Sequence, residues 1–106
     1  LVMGITFKEN CPDIRNSRVI DIIRELEDFE VNVDVYDPWA DANEVKIEYG
    51  IELIDDNKLR SKTYQGVVFA VAHNEFTIDS VKTLNGDPLI YDVKSKLPRE
   101  LVNERL

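Results

Sequence analysis

Leu1-Val-Met-Gly-Ile-Thr-Phe-Lys-Glu-Asn-Cys-Pro-Asp-Ile-Arg-Asn-Ser17 is the stretch whose reading decides the fold. Leu1–Thr6 is a short continuous apolar run carrying Val, Ile and Thr, which predicts a strand buried on both faces, as in a parallel sheet. Gly4 inside it is expected to allow close approach of a neighbouring helix or ligand. Phe7–Ile14 reads as loop, because Pro12 bars an early helical turn. Asn16 or Ser17 then supplies an N-cap. A strand, a loop large enough to meet a ligand and a helix start follow one another within seventeen residues.

Working outward, Val19, Ile20, Ile22, Ile23 and Leu26 give the spacing of an amphipathic helix, with Asp21, Arg24, Glu25 and Asp28 on its other face. Val31–Tyr36 alternates and predicts a second strand, which Asp37-Pro38-Trp39 ends. Asp41 caps a second helix running to about Tyr49, and Gly50 stops it. Ile51–Ile54 is a short strand at the sheet edge, and Asp55–Lys62 a polar helical turn. Gly66–Ala72 is apolar throughout and predicts a central strand. His73–Phe76 is loop, Thr77–Leu84 a short helix, Asn85–Pro88 a turn and Leu89–Val93 the last strand. Lys94–Pro98 is loop, and a final helical turn completes the tail. Strands alternating with helices predict an α/β fold: a Rossmann-like three-layer α/β/α domain spanning residues 1–106, with a parallel sheet of about five strands in the order 3-2-1-4-5.

The net charge of −8 speaks against general binding to nucleic acid, which requires a basic face, and against an anionic membrane surface. The opening stretch is locally basic, with Lys8, Arg15 and Arg18 set against Glu9 and Asp13. The single cysteine, Cys11, cannot form an internal disulfide. No apolar run approaches the ~20 residues of a membrane helix, and no secretory leader is visible, so the cytoplasm is the expected compartment. A chain that opens inside a buried strand is expected to be a segment of a longer protein.

In open α/β sheets, ligands bind beyond the carboxyl ends of the strands where the strand order reverses. In the order 3-2-1-4-5 the connections there are Phe7–Arg15 and His73–Phe76, with Lys94 and Lys96 one strand further along. Lys8, Arg15 and Lys94 could thus converge on one face, a set suited to a phosphorylated ligand. Phe7 reads either as core or as a ligand contact. The dinucleotide fingerprint G-x-G-x-x-G is absent after the first strand, where Gly4-Ile5-Thr6-Phe7-Lys8-Glu9 stands. Asp37, at the position of a ribose-binding acid, therefore reads as a turn or cap residue. His73 reads as a strand-end histidine bonded to a neighbouring loop, Cys11 as a bystander thiol, and Trp39 as packing or an interdomain contact. No metal-ligating set is read. A phosphorelay receiver or other interaction module on a doubly wound sheet is the alternative, but the acidic cluster and phospho-acceptor Asp that a receiver requires are not at the strand ends.

The sequence resembles the nucleotide-sugar dehydrogenases of the UDP-glucose and GDP-mannose type, in their C-terminal UDP-binding domain. Gly4–Ser17 (G-I-T-F-K-E-N-C-P-D-I-R-N-S), Val33–Pro38 (V-D-V-Y-D-P), Val68–His73 (V-F-A-V-A-H) and Tyr91–Lys94 (Y-D-V-K) carry the resemblance, in order, over most of the chain. The T-F-K-E-N-C-P-D-I-R form is most similar to the branch that oxidises UDP-N-acetyl-hexosamines or UDP-N-acetyl-mannosamine. The resemblance implies a homo-oligomeric enzyme with an NAD-binding domain, a central helix and a C-terminal domain that closes over the UDP-sugar. It implies two-fold oxidation of the sugar C6 alcohol to a carboxylate through a cysteine nucleophile, in the making of polysaccharide precursors. Phe7, Lys8 and Lys94 are then substrate contacts, and Arg15 reaches the NAD cofactor. The family's nucleophilic cysteine lies upstream of this segment and Cys11 does not align with it, so the segment alone is expected to be inactive.

Overall fold

The structure is a computed structural model and describes residues 1–105. Its sheet is built from β1 (Val2–Met3), β2 (Val35–Tyr36), β3 (Gly66–Phe69), β4 (Leu89–Asp92) and β5 (Glu104–Arg105), in the order β2-β1-β3-β4-β5. Every pairing is parallel, and Val2 of β1 stands between Val35 and Val68. The connections carry α1 (Val19–Asp28), α2 (Ala42–Tyr49), α3 (Asp56–Ser61) and α4 (Ile78–Lys82). The edge strand expected at Ile51–Ile54 contributes a single parallel bridge, Leu53 to Val35. With that bridge the predicted order holds from Leu53 through β4. β5 adds a strand beyond it where a helical turn was expected; the turn exists as a short 3₁₀ segment, Arg99–Leu101, just before β5.

Two apolar layers sandwich the sheet. Val2, Ile5, Val35 and Val71 pack beneath Val19 and Ile23 of α1 and Val45 of α2. On the other face Met3, Phe69 and Ile90 pack with Val81 of α4, Phe76 and Leu97, and Leu59 of α3 lies against them. The three layers expected from the alternation of strands and helices are therefore present. Among the described residues no helix is long and apolar enough to cross a membrane.

The strands are shorter than the apolar runs that encode them, and each shortening has a cause. β1 ends at Gly4, which takes φ +96°, a region open to glycine. A Cβ there would fall 2.5 Å from the Val71 Cβ and 2.9 Å from the Val71 backbone nitrogen. The close approach expected at Gly4 is thus to the chain leaving β3, not to a helix or a ligand. The Met3 carbonyl accepts from both Ala70 and Val71, which closes the ladder there. At the start of the second run, the Val31 N–H bonds back to the Leu26 carbonyl of α1, so Val31–Val33 serves as helix exit.

Caps follow the sequence with one exception. Asp41 accepts from the N–H groups of Asn43 and Glu44, and Gly50 closes α2 in the left-handed region at φ +69°. Asp55 and Thr77 cap α3 and α4. For α1 the cap position is Arg18, without a side-chain bond. Asn16 lies two residues too early, at φ +60°, and Ser17 Oγ accepts only a long bond, 3.3 Å, from Val19.

Candidate functional site at the carboxyl edge of the sheet

Among the described residues the buried polar side chains are Thr6, Asp37, His73 and Asp92. They stand just after β1, β2 and β3 and at the end of β4. Buried polar groups are costly unless bonded, and here each is bonded to the connection that leaves the carboxyl edge. This edge, rather than the apolar interior, is where the domain invests its polar structure.

Asp37 is the hub. Its Oδ2 accepts from the N–H groups of Ile5 (2.7 Å) and Thr6 (3.2 Å), and its Oδ1 from those of Trp39 (2.8 Å) and Ala40 (3.2 Å). His73 Nε2 lies 2.9 Å from the same Oδ2. Burial by itself pushes this carboxyl up, but the bonds from His73, Ile5 and Trp39 outweigh burial and hold it below the ordinary carboxylate value. The turn-capping role expected for Asp37 is present, and a longer-range one is added to it. The Ile5 and Thr6 amides follow β1, where a dinucleotide fold would aim amides at a pyrophosphate; here they are occupied by Asp37.

His73 bonds to a neighbouring loop, as its position predicts: the Asn10 N–H donates to its Nδ1 at 3.0 Å. Asn10 Oδ1 in turn accepts from the Asn74 N–H at 2.9 Å. Trp39 stacks on the imidazole with centroids 6.0 Å apart, and its Nε1–H donates to Glu75. Trp39 is therefore a packing residue within this domain. At the far side of the sheet, Asp92 accepts from the N–H groups of Lys94 (3.1 Å) and Leu97 (2.8 Å), which shapes the connection after β4.

A crevice of about 410 Å³ opens between the first loop, the end of β3 and the start of α4, at the point where the strand order reverses. Glu9, Asn10, His73, Asn74, Lys96 and Leu97 are among its walls. Lys8, Arg15 and Lys94 are exposed on connections of the same edge but stand outside this lining, and Lys96 is the cation within it. Phe7 is 54% exposed, so it is not core. Arg15 grips Asp13 through Nε (3.0 Å) and Nη2 (3.2 Å), a bond that pushes the Asp13 carboxyl down and the guanidinium up. That pair engages two of the five guanidinium N–H donors. The loop is tied down beside it by Tyr49, whose hydroxyl donates to the Ile14 carbonyl at 2.6 Å. Cys11 is half-buried and unpaired in any disulfide.

A larger cavity, about 590 Å³, lies at the opposite, amino edge among Leu1, Val31, Tyr64 and Leu89. Its cation, Lys62, is held at 2.7 Å by Asp34, which also accepts from the Tyr64 hydroxyl. Burial and that bond push the Tyr64 hydroxyl well above its ordinary value. With its charge neutralised, this cavity is a weaker candidate for an anionic ligand than the carboxyl edge.

The sequence model for the UDP binding domain of the UDP-glucose/GDP-mannose dehydrogenase family matches residues 1–99. The chain belongs to this family. Among its relatives in the family, UDP-N-acetyl-D-glucosamine 6-dehydrogenase of Salmonella typhi is 43% identical over the whole of this chain, and its namesake from Pseudomonas aeruginosa 41%. UDP-glucose 6-dehydrogenase of Rhizobium meliloti is 30% identical over 89% of it. The chain spans about a quarter of the length of these relatives, 25%, 26% and 22% respectively.

Asn10 and Asp92 were not singled out by sequence reasoning as parts of this edge. Asn10 sits in a polar loop with no periodicity to mark it. Asp92 carried a signal, an acid inside the otherwise uncharged strand Leu-Ile-Tyr-Asp-Val.

Proposed function

We propose that this chain is the domain that closes over the nucleotide sugar in an NAD-dependent UDP-sugar 6-dehydrogenase, with UDP-N-acetyl-hexosamines as the substrate class. The single observation that carries this is the family match over residues 1–99, joined to identities above 40% with two UDP-N-acetyl-D-glucosamine 6-dehydrogenases. The reaction is oxidation of the sugar C6 alcohol to a carboxylate in cytoplasmic polysaccharide precursor synthesis, by a homo-oligomeric full-length enzyme.

Lys8 and Lys94 supply point charges to the diphosphate, and Phe7 offers an exposed ring to the nucleotide sugar. Arg15 keeps three N–H donors beyond its Asp13 pair and can meet an anionic cofactor from across a cleft. NAD supplies the hydride acceptor. The fit of this chain to NAD is limited to Arg15, because Asp37 occupies the amides that would otherwise cradle a pyrophosphate. The dinucleotide is therefore held mainly by another domain of the full-length protein, the nucleophilic cysteine lies in a central region upstream of this segment, and this segment alone turns nothing over.

Titrating UDP into the chain while following backbone amide resonances tests the reading. Shifts should concentrate in Phe7–Arg15 and around Lys94. Lys8→Ala should weaken binding about tenfold, the loss of one charge-assisted bond, with an unchanged melting temperature. No response at millimolar UDP would overturn the assignment.

A further inference from the structure

We propose that His73 is a positioning residue: the lone pair on its Nδ1 holds the Phe7–Arg15 loop in the shape that receives the UDP-sugar. The inference rests on the reading of Phe7 and Lys8 as substrate contacts and adds to it a residue that touches no substrate.

The hydrogen bonds fix the tautomer. The Asn10 backbone N–H can only donate, so Nδ1 accepts and the ring proton resides on Nε2. Nε2 lies 2.9 Å from Asp37 Oδ2 and 3.2 Å from Thr6 Oγ1, so its proton faces both. The Thr6 hydroxyl hydrogen is directed to the Lys8 carbonyl at 3.0 Å, which leaves its oxygen as an acceptor toward Nε2–H. One imidazole thus sets the backbone on both sides of Glu9, directly after Lys8: the Lys8 carbonyl through Thr6, and the Asn10 amide directly.

The ring cannot turn to make other bonds. Trp39 stacks against it and Phe76 meets it edge-on with centroids 5.4 Å apart. Asn10 stands at φ +55°, in the left-handed region that Asn tolerates better than most residues, and its own side chain clamps Asn74. Phe7 and Lys8 precede this clamp by two or three residues and are themselves exposed. Their side chains have no packing of their own, so their placement depends on the clamp together with the Phe7 N–H bond to the Asp13 carbonyl at 2.7 Å.

Two substitutions divide the imidazole into halves. His73→Asn places an amide oxygen where Nδ1 was and keeps the acceptor for Asn10, while the donor to Asp37 is lost. His73→Gln places an amide nitrogen where Nε2 was and keeps the donor to Asp37, while the acceptor for Asn10 is lost. A histidine that serves folding alone makes UDP affinity follow stability. Positioning makes the two diverge: His73→Asn melts lower yet binds UDP within about twofold of wild type. His73→Gln melts higher than His73→Asn yet binds about tenfold more weakly than wild type, the loss of one hydrogen bond.

The experiment measures UDP affinity by amide-shift titration, melting temperature, and hydrogen exchange at the Asn10 amide for the 106-residue chain and both variants. Exchange at Asn10 should accelerate about tenfold in His73→Gln and stay protected in His73→Asn. Affinities that rank as the melting temperatures do, or an Asn10 amide still protected in His73→Gln, overturn the proposal. Should wild type fail to respond to UDP, the functional reading falls, and exchange at Asn10 still decides whether His73 holds the loop. Should neither variant fold, the ring ¹⁵N shifts of wild type decide: a proton on Nδ1 overturns the proposal.

Discussion

Replacing Asp37 by Asn keeps the shape of the side chain and removes one of its two acceptor oxygens. The amide nitrogen must face either Ile5, Thr6 and His73 or Trp39 and Ala40, all of which donate to the carboxylate. In the better orientation, two backbone N–H groups lose a charged acceptor and meet another donor. Bonds to an ionised group contribute about 1.5–3 kcal/mol each, so the loss comes to about 3–6 kcal/mol. A domain of this size has about 5–15 kcal/mol in total. At about 4 °C per kcal/mol, the melting temperature should fall by at least ~12 °C. Trp39, bonded to Asp37 through its backbone and stacked on His73, is the chain's single tryptophan and reports the transition by fluorescence. The pH dependence gives a second, signed readout. The folded Asp37 sits below its ordinary value of 3.8, so its contribution is fully present above that value and is lost as pH falls through the folded one. Asp37→Asn should therefore flatten the acid limb of the stability curve below about pH 4. A variant that melts within ~2 °C of wild type with the same acid limb would show that Asp37 is not the hub described here.

Three further substitutions probe other parts of the same edge. Gly4→Ala forces a Cβ to 2.5 Å from Val71 at φ +96° and should cost at least about 2 kcal/mol in urea denaturation; a loss below about 0.5 kcal/mol would contradict that packing. Arg15→Ala removes only an exposed pair with Asp13, so stability should hold, within about 1 kcal/mol. On the proposed function, the same substitution in the full-length protein should raise the KM for NAD, and an unchanged KM would remove Arg15 from the cofactor. Asp92→Asn leaves the N–H of Lys94 or of Leu97 facing a donor and should cost about 1–3 kcal/mol. It should also broaden the amide resonances of Lys94–Leu97, and sharp, unshifted resonances there would refute the anchoring role.

The fold was legible because its signals are local. Val19, Ile23 and Leu26 share a helical face, Gly66–Ala72 is apolar without interruption, and Asp41 and Gly50 bracket α2 as caps do. Strand ends were less legible, because they depend on contacts between distant residues. Nothing near Thr6 in sequence shows that Asp37 will take its amide, and nothing near Gly4 shows that Val71 will lie against it. The tail misled for a related reason: Glu104–Arg105 becomes a strand through register with Tyr91–Asp92, not through any propensity of its own. At the site, His73 was readable from its place at a strand end. Its partner Asn10 was not, since a loop asparagine acquires its role from the geometry around it.

The Asp37 carboxylate can also be viewed as a tethered competitor. It is an anion attached by the chain itself to the Ile5 and Thr6 amides, so it occupies them without the loss of translational freedom that a free phosphate must bear. A phosphate seeking those amides must displace it and strip a buried carboxylate of two of its backbone bonds. The strand–loop–helix start of this domain, which shares its outline with dinucleotide-binding modules, is thereby closed to their ligand from within. Two domains of similar outline can then face one another across a cleft without contending for the same dinucleotide.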